Sequence, residues 1–315
     1  MPRLFTSKMM KVESILCPVD LSHDSAKALR YAAALARAYG ARLLVFHSAG
    51  ERAGGALEEV KRVVWRALGS CGGSAQQVCL EIVVGKGSDA AEAITHEAAE
   101  RGVSLIVMCS RRRPLRAALL GSTAESVYRT APCPVLITHP DESERAGAAT
   151  GPLSLRRVLV AHDFSDCSEL ALRLALSLAQ EHRAELHLLH VLAPPPLGEP
   201  ELAWSQATVE GSYHKAARGL KEAVPGEAYL RSEVETAVRW GKPYREVLAY
   251  AKEQDIDLVC MGAHGAGFGM QALVGSNVDR VLRQSPCPVL VARPLKPLVA
   301  PLNASAAGAG EGVTT

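Results

Sequence analysis

The amino-acid sequence predicts an α/β protein of two tandem, doubly wound, open parallel sheets with five strands each. The first observation behind this is an internal duplication. Ile15-Leu16-Cys17-Pro18-Val19-Asp20-Leu21-Ser22 is matched by Val158-Leu159-Val160-Ala161-His162-Asp163-Phe164-Ser165, and the apolar run ending at His47 by the one ending at His190, both at an offset of 143 positions. The second is that the copies close alike, Ala131-Pro132-Cys133-Pro134-Val135-Leu136 against Ser285-Pro286-Cys287-Pro288-Val289-Leu290, at an offset of 154. The second copy has gained residues in between, and the proline-rich stretch from Ala193 to Pro200, which suits neither helix nor central strand, is where they fall. The third is the alternation in each copy of short apolar runs with longer stretches of helical period, the pattern of βαβ units.

In order along the first copy, Ser14 to Val19 reads as a strand. Asp24 to Tyr39 reads as a helix with Ala28, Leu29, Ala32, Leu35 and Ala36 as its apolar stripe and Gly40 as its stop. Arg42 to His47 and Leu80 to Val84 are strands, Ala90 to Arg101 a helix, Leu105 to Met108 a buried strand, Ser122 to Arg129 a helix and Val135 to Thr138 the closing strand. The second copy repeats the scheme with strands at Arg157 to Val160, Leu186 to Val191, Glu233 to Val238, Leu258 to Met261 and Val289 to Ala292. Its helices are Leu170 to Gln180, Tyr244 to Lys252 and Asn277 to Arg283. Residues 10–140 and 154–294 are the two expected domains. Asp141 to Pro152 reads as a linker, residues 295–315 as a disordered tail and Met1 to Met9 as a loose start.

A chain of 315 residues can bury two ordinary cores. With 48% hydrophobic and 22% charged residues and a net charge of +2, it reads as a globular protein with no polybasic surface for nucleic acid. No apolar run reaches the roughly 18 residues of a membrane span, and no signal-peptide pattern opens the chain, so no membrane is expected and the expected address is cytoplasmic. Of its eight cysteines, Cys17, Cys109, Cys133, Cys260 and Cys287 sit in or beside apolar runs, the pattern of buried reduced thiols rather than of disulfides or a zinc site.

The stretch that carries chemistry follows the strand Leu258 to Met261: Gly262, Gly265, Gly275 and Ser276 form Gly-x2-Gly-x9-Gly-Ser. Glycines at a strand's carboxyl end let backbone approach a ligand without a β-carbon between them. Gly275 and Ser276 then open a helix whose first amides and dipole favour phosphate. In an open parallel sheet ligands sit beyond the carboxyl ends of the strands at the topological switch point, where Asp163 also falls. His264 either touches phosphate or faces solvent. The plainer readings are a flexible glycine loop, Asp20 and Asp163 as helix caps, and His47 and His190 as packed strand ends.

The Asp-x-Ser turn, the histidine closing strand two, the glycine motif and the closing Pro-Cys-Pro-Val-Leu occur in an order that resembles the universal stress protein family, twice over nearly the whole chain. The resemblance implies a nucleotide-binding fold of the adenine nucleotide alpha hydrolase-like kind, often loaded with ATP, here with Mg2+ as companion. It implies that Gly262, Gly265, Gly275, Ser276 and Asn277 hold phosphates and ribose, while Ala161, Asp163 and Val191 border the adenine and its sugar. Because the family's closing strands pair across dimers, it also implies that the two repeats pair within this chain and that two chains associate as a homodimer.

In the first repeat Met108-Cys109-Ser110-Arg111-Arg112-Arg113-Pro114 lacks both early glycines. Pro18, Asp20, Gly121 and Ser122 remain as a vestigial or altered site. The chain carries no Gly-x4-Gly-Lys-Ser/Thr loop, no adenylation or pyrophosphatase signature, no Gly-x-Ser-x-Gly elbow and no lysine in its glycine loop, so no dedicated catalytic residue is assigned. The expected role is a stress-response sensor or signalling module in which ATP orders the loop between Gly265 and Gly275. The alternatives are a nucleotide-free scaffold and a slow ATPase.

Overall fold

The computed structural model describes residues 11–50, 55–69, 78–85, 87–110, 120–139, 154–194, 206–265 and 275–294. The expected loose start, linker and tail lie outside them, as do Arg111 to Arg113 and the loop from Ala266 to Val274. The first repeat runs β1 (Ser14–Pro18), α1 (His23–Tyr39), β2 (Arg42–Ser48), α2 (Ala56–Gly69), β3 (Leu80–Gly85), α3 (Ala90–Glu100), β4 (Leu105–Cys109), α4 (Ser122–Thr130) and β5 (Val135–Thr138). The second runs β6 (Arg157–Ala161), α5 (Asp166–His182), β7 (Glu185–Leu192), α6 (Gln206–Ala223), β8 (Val234–Trp240), α7 (Pro243–Glu253), β9 (Leu258–Gly262), α8 (Ser276–Gln284) and β10 (Val289–Ala292).

The strands form one ten-stranded sheet in the order β3-β2-β1-β4-β5-β10-β9-β6-β7-β8. Within each repeat neighbours are parallel, and the order 3-2-1-4-5 places a switch point between β1 and β4 and between β6 and β9. The repeats meet where β5 and β10 pair antiparallel, Leu136 opposite Leu290. The central strands are apolar on both faces because helices cover both. Ile15 and Cys17 of β1 pack into one apolar layer with α1 and α2, while Leu16 between them packs into the other with α3 and α4. Both layers run through both repeats.

Two helices were missed in the sequence reading. Helix α2 buries Val60, Val64, Ala67 and Leu68 at helical spacing and turns Trp65 outward, 56% exposed. Helix α6 covers β7 and β8 after the proline-rich stretch and buries only Ala216 and Leu220 along most of its length. Val19, expected to end β1, lies one residue past it.

Four charges fasten the repeats. On α4, Glu125 and Arg129, and on α8, Asp279 and Arg283, form a reciprocal square: Arg129 reaches Asp279 at 2.9 Å and Arg283 reaches Glu125 at 3.0 Å, each also pairing along its own helix. The residues correspond at the 154 offset, so the contact has the self-complementary form of a two-fold interface inside one chain. Tyr128 hydroxyl donates to Asp279. Buried Arg293, after β10, donates to the carbonyls of Arg129 and Ala131, both at 2.9 Å, at the end of α4.

Burial alone would raise the carboxyl pKa of Asp279, but hydrogen bonds from Tyr128 and Arg283 outweigh it and hold it below the usual range. A depressed carboxyl contributes stability above its unfolded pKa of roughly 4 and loses it as pH falls through the folded value. Replacing Arg129 and Arg283 together by alanine is expected to cost about 2 kcal/mol in urea unfolding at pH 7 and to flatten the loss of stability on acidification. Unchanged unfolding curves would show that the square contributes nothing.

Candidate functional site

Each turn after the first strand of a repeat is built the same way. Asp163 Oδ1 accepts from Ser165 amide at 3.1 Å and its hydroxyl at 2.6 Å, and Asp20 Oδ1 does so from Ser22 at 3.1 and 2.5 Å. The serines are the N-caps: Ser165 Oγ accepts from Ser168 amide and Ser22 Oγ from Ser25 amide, each at 3.2 Å. The aspartates therefore do not cap the helices, contrary to the plainer reading. They orient the capping serines.

The residue between aspartate and serine takes a left-handed conformation in both repeats, Leu21 and Phe164 at φ 64°. A side chain held there costs about 1–2 kcal/mol, and such strain clusters at ligand sites. The turn is latched from β2 or β7: His47 Nδ1 donates to Val19 carbonyl and His190 Nδ1 to His162 carbonyl, both at 2.8 Å. The two histidines thus pack at strand ends.

The glycine motif converges on this turn. Gly275 amide donates to Ala263 carbonyl at 3.0 Å, which joins the two ends of the motif, and Ser165 Oγ lies 3.3 Å from His264 carbonyl. The three glycines have different reasons to be glycine. A β-carbon on Gly262 would stand 2.7 Å from the backbone of Cys167 and Ser168, so Gly262 lets β9 lie against the first turn of α5. On Gly265 it would stand 2.8 Å from Asp163 Oδ2. On Gly275 it would meet, among the described residues, only Ala263 carbonyl at 3.8 Å, and the backbone there, φ −62° and ψ 143°, suits any residue.

Gly275 caps α8 with no side-chain hydrogen bond, so the first amides of the helix, at exposed Ser276, half-buried Asn277 and buried Val278, point out of its end. Ala161 and Val191 are half-buried at the ends of β6 and β7. His264 is buried, so it does not face solvent.

The sequence reading missed Phe164. Nearly half exposed in the turn after β6, it packs edge-on to His162 at 5.1 Å, lies 4.7 Å from the His190 ring and rests against Gly219 of α6. The signal was an aromatic side chain inside the Asp-x-Ser turn.

In the first repeat the corresponding place is a cleft of about 640 Å3, lined by Pro18, Asp20, Asp24, Cys109, Gly121 and Ser122 among others. The vestigial site residues are thus brought together, with Gly121 capping α4 as Gly275 caps α8. Cys109, at the end of β4, stands where Gly262 stands in β9. It is half-buried rather than buried, and burial pushes its thiol up to about 12, so it is protonated at neutral pH. The seven described cysteines form no disulfide. Among the described residues no helix is long and apolar enough to cross a membrane.

An acidic turn and a helix N-terminus at the switch point of each doubly wound half, joined in the second half by a glycine turn, define a tandem Rossmann-like α/β protein. The chain belongs to the universal stress protein family, whose sequence model matches residues 11–139 and 154–293, once over each repeat. A universal stress protein of Mycobacterium tuberculosis is 32% identical over 196 residues, and the match spans 61% of either chain. One of Mycolicibacterium smegmatis is 29% identical over 305 residues, 89% of this chain and 97% of that one. Among solved structures, a universal stress protein from Archaeoglobus fulgidus has a TM-score of 0.61 at 23% identity, covering 90% of this chain and 99% of its own. A functionally unknown protein from Pseudomonas aeruginosa has a TM-score of 0.67 at 20% identity, with coverage of 91% and 94%. Both share the fold.

Proposed function

We infer that the chain binds ATP or a related adenine nucleotide, with Mg2+, in its second domain and works as a stress-response sensor or signalling module in the cytoplasm. The observation that carries this reading is Gly275. Neither its backbone angles nor its surroundings among the described residues require a glycine, so the room they leave at the start of α8 fits a group from outside. Phosphates there would meet the amides of Ser276 and Asn277 and the positive end of the helix. Asp163, held by Ser165 and bordered by Gly265, would take ribose hydroxyls, with Ala161 and Val191 beside the base. Mg2+ would neutralise phosphate charge at a site whose near side chains include a carboxylate and no lysine or arginine from the glycine motif.

A second reading is favoured by the cleft in the first domain. At about 640 Å3 it falls within the roughly 300–1,000 Å3 of small-molecule sites, which supports a ligand of its own there. Calorimetric titration with Mg-ATP separates the cases. A stoichiometry near one per chain is expected; a value near two would give the first domain the same function; and no binding by calorimetry or by a second assay would leave the nucleotide-free scaffold.

A further inference from the structure

At the other end of β7 from His190 lies a cluster that the nucleotide reading does not use. His187 faces Glu235 across the β7–β8 ladder and shares its face of β7 with Glu185, two residues earlier. Its side chain is 1% exposed. Nδ1 lies 3.0 Å from Tyr250 hydroxyl on α7 and 3.3 Å from Glu235 Oε2, while Nε2 lies 3.3 Å from Glu185 Oε1 yet makes no hydrogen bond. A buried ring nitrogen without a hydrogen bond carries a desolvation cost, and a carboxylate oxygen stands beside it.

The geometry points to a divalent transition-metal site of the zinc class formed by Glu185, His187 and Glu235. One donor atom from each lies within 4.8 Å of the others. Some point is then no more than about 2.8 Å from all three, and the ~2.1 Å of a zinc bond to oxygen or nitrogen requires only ~0.7 Å of closure. The glutamates can supply it, since their side chains are 27% and 55% exposed while the imidazole is fixed.

The surroundings suit a ligating histidine. Nδ1 keeps Tyr250 hydroxyl as an outer partner that sets the ring's orientation, which leaves Nε2 for the ion beside Glu185, and the exposed Glu235 carboxylate, 3.3 Å from Nδ1, turns along the ring edge to join it. Arg157 binds the opposite oxygen of Glu185, Oε2, at 3.3 Å, leaving Oε1 toward the imidazole. Arg239 lies over the Tyr250 ring at 4.7 Å and is itself held by Glu253 at 2.5 Å. Two carboxylates against Arg157 leave net negative charge, and imidazole with carboxylate is a donor set that accepts zinc, cobalt and nickel. Bound metal would staple β8, the outer strand of the second repeat, to β7.

The test is titration of the full chain, reduced and freed of metal, with Zn2+ and in parallel with Co2+. One ion per chain is expected at micromolar concentration, with a cobalt spectrum free of thiolate charge-transfer bands and a rise in Tm. H187Q should weaken binding at least tenfold. E235Q, a change at an exposed position that leaves the fold intact by circular dichroism, should weaken it severalfold. Absence of stoichiometric binding, thiolate bands in the cobalt complex, or unchanged affinity in E235Q would each overturn the assignment.

Discussion

Replacing Gly262 with valine is expected to lower the Tm of the protein by about 10 °C. The first atom added would stand 2.7 Å from the backbone of Cys167 and Ser168, and backbone, unlike the end of a flexible side chain, cannot swing aside. Either β9 or the first turn of α5 must move. β9 is central, bonded to β6 on one side and β10 on the other, and α5 packs across it. Overpacking usually costs 1–3 kcal/mol, and a clash with helix backbone at a central strand belongs at about 3 kcal/mol or beyond. At roughly 2–4 °C per kcal/mol for a domain of 150–250 residues, that gives the stated shift. A Tm within about 2 °C of the parent protein, by calorimetry, would refute the packing role of Gly262.

Gly265→Val should behave in the opposite way, with little loss of stability and a large loss of binding. Its β-carbon would press on Asp163 Oδ2, the end of a side chain, at 2.8 Å. The carboxylate can rotate away at about 1 kcal/mol, but it then abandons the amide and hydroxyl of Ser165. Under the proposed function this displaces the group that takes the ribose, and affinity for Mg-ATP should fall at least tenfold, about 1.4 kcal/mol, with Tm within about 3 °C of the parent. Gly275→Ala is the companion, because among the described residues its methyl group would meet only Ala263 carbonyl, at 3.8 Å. It should melt like the parent and bind less well. If both variants bind Mg-ATP with parental affinity, the nucleotide is not at this end of the sheet.

The sheet was legible because its strands are continuous apolar runs bounded by turns, and because the duplication let each repeat check the other. Helix α2 escaped because it has only a narrow stripe, Val60, Val64, Ala67 and Leu68, set among charged residues and an outward Trp65. The glycine motif was visible as a motif, but its division of labour was not. That Gly262 yields to a helix, Gly265 to a carboxylate and Gly275, among the described residues, to no close neighbour depends on which backbone passes nearby, and spacing does not encode that. The capping role went to Ser22 and Ser165 rather than to the aspartates two residues before them, a choice settled by turn geometry at φ 64°. The cluster at His187 was illegible for the same reason, since Glu235, 48 positions further along the chain, reaches it only through strand register.

The antiparallel seam between β5 and β10 has a further consequence. Two separate identical subunits that met this way would depend on concentration, and each would have to carry the same site. Tethering holds the halves at an effective concentration on the order of millimolar, whatever the abundance of the protein. One half can then carry Cys109 where the other carries Gly262, with no scrambling of unlike halves between partners. Fusion turns a symmetric pair into a fixed ratio of one altered site to one glycine-rich site in every molecule.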